Sequence, residues 1–416
     1  MKKLLKLMIF LFVFTFVGLL MVEGQAMART EIEFWTIDLK APFGDYFERM
    51  ISTYEEENSE IEIVWKDFPY AAVQEKLLSS ITGGDAPDVV NLSTEMARPL
   101  MEKNALTPVN KVDPDYEDTY FEGIWEAGEY EENVFAFPWY LSTQVIMYNE
   151  DIFEEAGLDV DDPPETMDEI KEYARQVKEN TDKNGFIPQI RLYQDFLKNG
   201  IPLFEDEEQT EVGFETKEAV EIVQWYLDLI EEDIVTIEQI RDGYEEAVQR
   251  FMSGDLAMLI TGPQFLSRVK ENAPDVYDNV RVAEMPRGDA DIINAAAMNV
   301  VIPRTSDHLD EAAEFAHFIT GDYAQLEFAK EANVLPSAKE AAEDDYFMSE
   351  GDTPEDEARR ISARQLEWAE DMTITAPNSN KLIDAIDEEF EKAYYGEITA
   401  EQAVKNMAKR WRKNIK

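Results

Sequence analysis

Between residues 30 and 93 the apolar pattern switches period four times, and that switching constrains the fold more than any other feature of the chain. EIEFWTI alternates, with Ile32, Phe34 and Thr36 on one side, as a strand does. DYFERMISTYEEEN then carries Phe47, Met50, Ile51 and Tyr54 at helical spacing, with glutamates on the opposite face. IEIVW reads as a second strand, and AAVQEKLLSSIT as a second helix with Val73, Leu77 and Ile81 inward. In TGGDAPDVV, Gly83 and Gly84 are expected to stop that helix through positive φ, Pro87 to fix the turn, and Asp88-Val89-Val90 to start a third strand. Strand, helix, strand, helix, strand predicts a parallel, doubly wound α/β sheet. Ligands of such sheets bind beyond the carboxyl ends of the strands. Thr36, Asp38 and Lys40 after the first strand, and Ser93, Thr94 and Glu95 after the third, therefore either face a crevice or form solvated loops.

Further along, two strand-like runs bracket FPWYLST, and Thr166 and Glu169 have capping-box spacing at the start of an amphipathic helix. A helix ending at Gly254 leads into the strand LAMLI, after which Thr261-Gly262-Pro263 is expected to open another helix with its free N–H groups outward. NAAAMNVVIPR gives a further strand, and the remainder is largely helical, including 356–371 and 380–395. No fixed-period repeat and no Gly/Ser- or Pro-rich linker separates the halves.

The 416 residues suffice for two ordinary domains, and a 44% hydrophobic content can fill their cores. The 89 acidic residues outnumber 38 basic ones, for a formal charge of -51 dispersed along the chain. Such a surface repels phosphate backbones, which argues against nucleic acid as a partner. It fits adaptation to concentrated salt; no D-x-[DN]-x-[DN]-G loop supports calcium storage instead. The basic MKKLLK, a sixteen-residue apolar run and Ala26-Met27-Ala28 read as a secretory signal over residues 1–28, with an uncleaved anchor as the alternative. Cysteine is absent, so neither a disulfide nor a lipid on an N-terminal cysteine is available, and a periplasmic or released protein is expected.

Four stretches taken in order, TGGDAPDVV, FAFPWYLSTQVIMYNEDIFEEAGLDVDDPPETMDEI, EAVQRFMSGDLAMLITGP and EAAEFAHFITGDYAQLEFAKEANVLPSAKEA, resemble the extracellular solute-binding proteins of ABC importers, the family that includes maltose-binding protein. The resemblance spans nearly all of the chain after the leader. It implies the type II periplasmic-binding-protein (Venus-flytrap) fold, in which two hinged α/β lobes with central mixed sheets hold solute between them. Residues 29–141 and 294–345 would form one lobe, and 142–293 and 346–416 the other. Closure around a carbohydrate would present both lobes of a monomer to a membrane permease, without a cofactor. By the same resemblance Glu95 falls where sugar-binding members place an acid that accepts hydroxyl hydrogen bonds. Asp38 and Lys40 lie in a contact loop, and Trp139 and Tyr140 follow the family's proline at the crossing. The chain departs from the pattern at Gln264, where a stacking tryptophan is common, at Met298, where many members have an aromatic, and at Leu382 or Ile383. Fewer rings argue against a long maltodextrin, unless Phe265 compensates.

A sugar site wants flat rings for C–H faces and carboxylates or amides for hydroxyls. Rings near predicted strand ends are Trp35, Trp139, Tyr140, Tyr193 and Phe265, each of which could equally be core; Trp225 reads as core of its helix. Catalytic sets are missing. The two histidines, His308 and His317, form no HExxH pattern, and neither a G-x-S-x-G elbow nor a G-x-x-x-x-G-K-[ST] loop occurs. A pair of carboxylates for glycoside cleavage carries little weight among 89 acids. The expected function is binding of a sugar or oligosaccharide. A polyol phosphate, peptide, polyamine or metal chelate in the same fold, or an exported polysaccharide-cleaving enzyme, are the alternatives.

Overall fold

Strands β1 (Thr30–Ile37), β2 (Ile61–Phe68) and β3 (Val89–Ser93) alternate with the helices Lys40–Glu57 and Tyr70–Gly83, and β1 pairs in parallel with both β2 and β3. The computed structural model describes residues 29–206, 209–374, 376 and 378–415; the expected leader, 1–28, lies outside the described residues. A short hairpin, β4 (Glu129–Tyr130) and β5 (Asn133–Val134), precedes β6 (Ala136–Ser142) and β7 (Val145–Asn149). The later strands are β8 (Asn184–Phe186), β9 (Leu256–Thr261), β10 (Val280–Ala283), β11 (Ile293–Asn294), β12 (Ala296–Val301), β13 (Leu335–Pro336) and β14 (Ala369–Glu370).

Two mixed sheets result. The first runs β13-β6-β12-β3-β1-β2 and the second β10-β7-β9-β8. The consecutive strands β6 and β7 belong to different sheets, so the chain crosses between them through Thr143 and Gln144. It returns between β10 and β12, and β11 on that return pairs in parallel with β14. Each sheet is covered on both faces, which makes two α/β lobes. In β1 the alternate residues Ile32 and Phe34 enter one core, and Trp35 and Ile37 enter the core on the opposite face. Both parities are apolar because both faces are dry. The second lobe is completed from far downstream: helices Ser379–Tyr394 and Ala400–Asn414 add Leu382, Phe390, Met407 and Trp411 to its core. The Trp411 indole, fully buried, donates to the Leu382 carbonyl at 2.7 Å.

Local signals explain most element ends. Gly84 takes φ +77° and terminates the second helix, whereas Gly83 is still its last helical residue. Thr166 and Glu169 form a reciprocal capping box at the start of Met167–Asn180. Gly185 is required for a different reason: a Cβ there would lie 2.2 Å from Ala174 Cα, so only glycine lets β8 approach that helix. Thr261-Gly262-Pro263 does not open a helix as its sequence suggests. The helix is Phe265–Asn272, and the Phe265 and Leu266 N–H groups are spent on the Gly262 and Pro263 carbonyls at 3.0 and 3.1 Å.

His317 belongs to the first lobe's structure. Its ring lies 4.5 Å from that of Tyr116, and its Nε2 is 3.1 Å from Thr119 Oγ1. Burial holds its pKa below 6.5, with Asp113 and Asp322 opposing. The unfolded imidazole charges as pH falls past about 6.5 while the folded one resists, so this contribution to stability is complete above that pH and is lost progressively below it. Denaturant titrations of wild type and His317→Gln should therefore show a gap that narrows between pH 7 and pH 5; a constant gap would contradict a buried neutral ring.

Candidate functional site

The loop after β1 is built by Asp67 as much as by its own residues. Asp67 accepts from Thr36 Oγ1 at 2.6 Å and from the Leu39 and Lys40 N–H groups at 3.0 and 3.2 Å, which caps the following helix from a neighbouring strand. Asp38 sits in the left-handed region at φ +53° and spends one carboxylate oxygen on the Tyr70 N–H. Lys40 places its ammonium 4.8 Å above the Trp65 indole. Both side chains are exposed.

After β3, Ser93 caps the helix Thr94–Glu102 by accepting from the Met96 N–H at 3.2 Å. Glu95 stands exposed in that helix's first turn, where the N-terminal dipole favours a carboxylate. Its neighbour Thr94 is buried; it accepts from Asn299 Nδ2 at 3.0 Å and donates to Asp371 Oδ2 at 2.7 Å. Asp371 follows β14 and so belongs to the segment that links the lobes.

Tyr193, on the helix Leu192–Lys198 of the second lobe, completes the set. Burial raises its phenol pKa, a bond from Gln194 and the charge of Arg191 lower it, and Glu95 and Asp371 raise it. Glu95, Asp371 and Tyr193, from the first lobe, the linking segment and the second lobe, thus share one electrostatic space. Arg191 also lowers the pKa of Asp387, which burial and Asp384 raise. Glu95 and Asp371 thus act on the buried Tyr193 phenol with Arg191 as counter-charge, and Arg191 acts on Asp387 in turn. Such a set accepts hydrogen bonds from hydroxyls and disfavours anions.

The remaining sequence candidates are distributed unevenly. Trp139, expected beside the cleft, has no exposed surface: it lies in the first lobe's core, nearly parallel to Phe328 at 5.4 Å. Phe137, two residues earlier on β6, enters the same core, so Trp139 follows the strand's alternation inward; the register skips it, since Met298 pairs with Tyr140 but Asn299 with Pro138. Trp35 is 5% exposed against Phe68, with its indole N–H on Glu33, and Phe265 is 7% exposed in the second lobe. Tyr140 and Met298 are half-buried on the interior strands β6 and β12 of the first sheet, with Met298 in register opposite both Tyr140 and Ser93. Gln264 is exposed beside Gly262. Trp225 is not simply core: its indole N–H reaches Asp168 at 2.8 Å and it lines a lateral cavity of about 470 Å³ in the second lobe. Asp371, Arg191, Asp384 and Asp387 are the residues that sequence reasoning missed. Leu382, at a position where the family can supply another ring, is fully buried in the second lobe's core.

Two α/β lobes, each built on its own mixed sheet and joined by crossing segments, define a two-lobed binding-protein architecture. The chain belongs to the bacterial extracellular solute-binding protein family, whose profile matches residues 39–326. A periplasmic-binding protein of Synechococcus sp. MITs9220, assigned provisionally to oligosaccharides, superposes with a TM-score of 0.82 at 30% identity, over 92% of this chain and 98% of its own. The sn-glycerol-3-phosphate-binding periplasmic protein of Pectobacterium atrosepticum is 23% identical over 95% of this chain and 93% of its own. An arabinooligosaccharide-binding protein of Halalkalibacterium halodurans is 24% identical over 71% and 67%. Among the described residues no helix is long and apolar enough to cross a membrane, and no group of three or more acidic or histidine side chains is placed to hold a metal ion.

Core and gap residues should separate experimentally. Trp139→Leu should cost about 2 kcal/mol or more of stability, since it empties a packed aromatic site, and leave solute affinity of the folded protein within about twofold. Glu95→Gln should change stability by less than about 0.5 kcal/mol, as exposed substitutions do, and weaken binding. Chemical denaturation paired with calorimetry on both variants checks this; the reverse pattern would return Trp139 to the site.

Proposed function

We propose that this chain is the substrate-binding component of an ABC importer, taking a neutral sugar or oligosaccharide into the gap between its lobes and delivering it to a membrane permease. The observation that carries the reading is that Glu95, exposed after β3, and Asp371, hydrogen-bonded to the neighbouring Thr94, both bear by charge on the Tyr193 phenol of the second lobe. The carboxylates would accept from adjacent hydroxyls and the ring would face C–H surfaces. Tyr140, Met298, Asp38, Lys40 and Gln264 are secondary contacts in this proposal, as partly or fully exposed side chains on β6 and β12, the β1 loop and the loop after β9. Residues 29–141 with 294–345 are taken as the first lobe, and 142–293 with 346–416 as the second. The protein acts as an exported or periplasmic monomer after loss of residues 1–28, and binds without chemical conversion.

The relative that carries sn-glycerol-3-phosphate suggests a phosphorylated polyol as the competing solute. Glu95 and Asp371 weigh against it, because an anion beside them would lose water and gain mostly repulsion. A micromolar sugar supplies about 8 kcal/mol at a 1 M standard state. That is enough to reverse an open–closed equilibrium of a few kcal/mol, provided the sugar contacts both lobes.

Calorimetry against mono- and oligosaccharides should find a micromolar sugar and no comparable affinity for sn-glycerol-3-phosphate, and Glu95→Ala should weaken the sugar roughly 10- to 100-fold. Small-angle scattering should show contraction on saturation, with no new reducing ends after incubation. Phosphate-dependent binding, unchanged dimensions or hydrolysis would each replace this reading.

A further inference from the structure

Glu95 reaches the gap from a helix whose first residue is tied to the other side. Thr94 is 4% exposed and stands at the carboxyl end of β3, and Asn299, which donates to it, lies on β12 of the same sheet. Its acceptor, Asp371, belongs to a segment rooted in the second lobe, since Trp368, Ile374 and Ala376 around it pack into that lobe's core. The second Asp371 oxygen accepts from the Thr373 N–H at 3.0 Å and from Thr373 Oγ1 at 2.5 Å. Asn299 is anchored in turn, its carbonyl accepting from Asn91 Nδ2 at 3.1 Å. Partners on both sides therefore fix the orientation of the Thr94 hydroxyl and of the carboxylate it meets.

From this we infer that Thr94 and Asp371 are a positioning pair: their hydrogen bond is a pivot that joins the lobes beside the crossing and sets the position of Glu95 relative to the second lobe. A bond from a hydroxyl to a carboxylate shielded from water is shorter and stronger than a neutral one. It also lies beside the β11–β14 pairing and the return of the chain into β12, at the short arm of any rotation between the lobes. Separation there stays small while residues farther out move apart. Neighbouring Cα atoms are about 3.8 Å apart, so a displacement of Thr94 passes to Glu95 almost undiminished. The effect on Glu95 rests on the proposed solute reading; the pivot itself does not.

The chain has no cysteine, so Glu75→Cys and Lys405→Cys, both exposed and on opposite lobes, give one defined spin-label pair. In the solute-free protein, Thr94→Val should lengthen and broaden the interlobe distance distribution, and Thr94→Ser should restore it. Asp371→Asn, which keeps the size and removes the charge, should shift it in the same direction by less; it serves as the second variant if Thr94→Val fails to fold. With a bound sugar, Thr94→Val should weaken affinity about tenfold. A distribution unmoved by Thr94→Val, or by Asp371→Asn where that variant stands in, overturns the pivot whatever binds. A moved distribution with no sugar bound by wild type leaves the pivot standing and removes the sugar reading.

Discussion

Strand β12 inserts between β3 and β6, antiparallel to both, and the rest of the molecule depends on that pairing. Its residues lie more than 150 positions after β6 in sequence, with most of the second lobe between them. The pairing closes this long excursion and forces the chain to pass the hinge again. It also brings Asn299 against Thr94 and Met298 opposite Ser93. The pairing carries a bulge at Trp139, which lies buried in the same core as Phe137.

A consequence is that the gap is mainly polar. Rings that would make stacking platforms are used elsewhere: Trp35 and Trp139 stiffen the first lobe, and Phe265 and Trp411 fill the second. Carboxylates remain, and their placement is not random despite the acidity of the whole chain. Asp371 is held by two donors from Thr373 and one from Thr94, so its orientation is set before any solute arrives. Such preorganisation lowers the ordering cost of binding.

The lobe connections show how rigidity and motion coexist. The Gln365 amide donates to the Gln144 carbonyl in the first crossing at 3.0 Å, and its oxygen accepts from the Met285 N–H at 2.7 Å, beside the return. These bonds brace the crossings from the second lobe. On the first lobe's side the ties include the bond from Thr94 to Asp371 and the Met372 and Ala295 N–H groups, which reach Asn294 Oδ1 and the Glu370 carbonyl at 3.2 and 2.8 Å. A rotation between the lobes thus has few polar contacts to break near the axis.

By itself the sequence determined the α/β character of both halves, the winding of the first three strands, the capping box at Thr166 and the helix stop at Gly84. These depend on periodicity and on φ preferences carried by neighbouring residues. It also placed Glu95 at a strand's carboxyl end, because PDVV is a local signal. Only the tertiary structure decided which rings are buried, since both faces of the first sheet are covered and alternation along a strand does not tell a covered face from one that meets solvent. The partnership of Thr94 with Asp371, 277 positions apart, was likewise beyond local reading: hydrogen bonds and Coulomb interactions act over a few ångströms of space, and only folding brings those residues within reach.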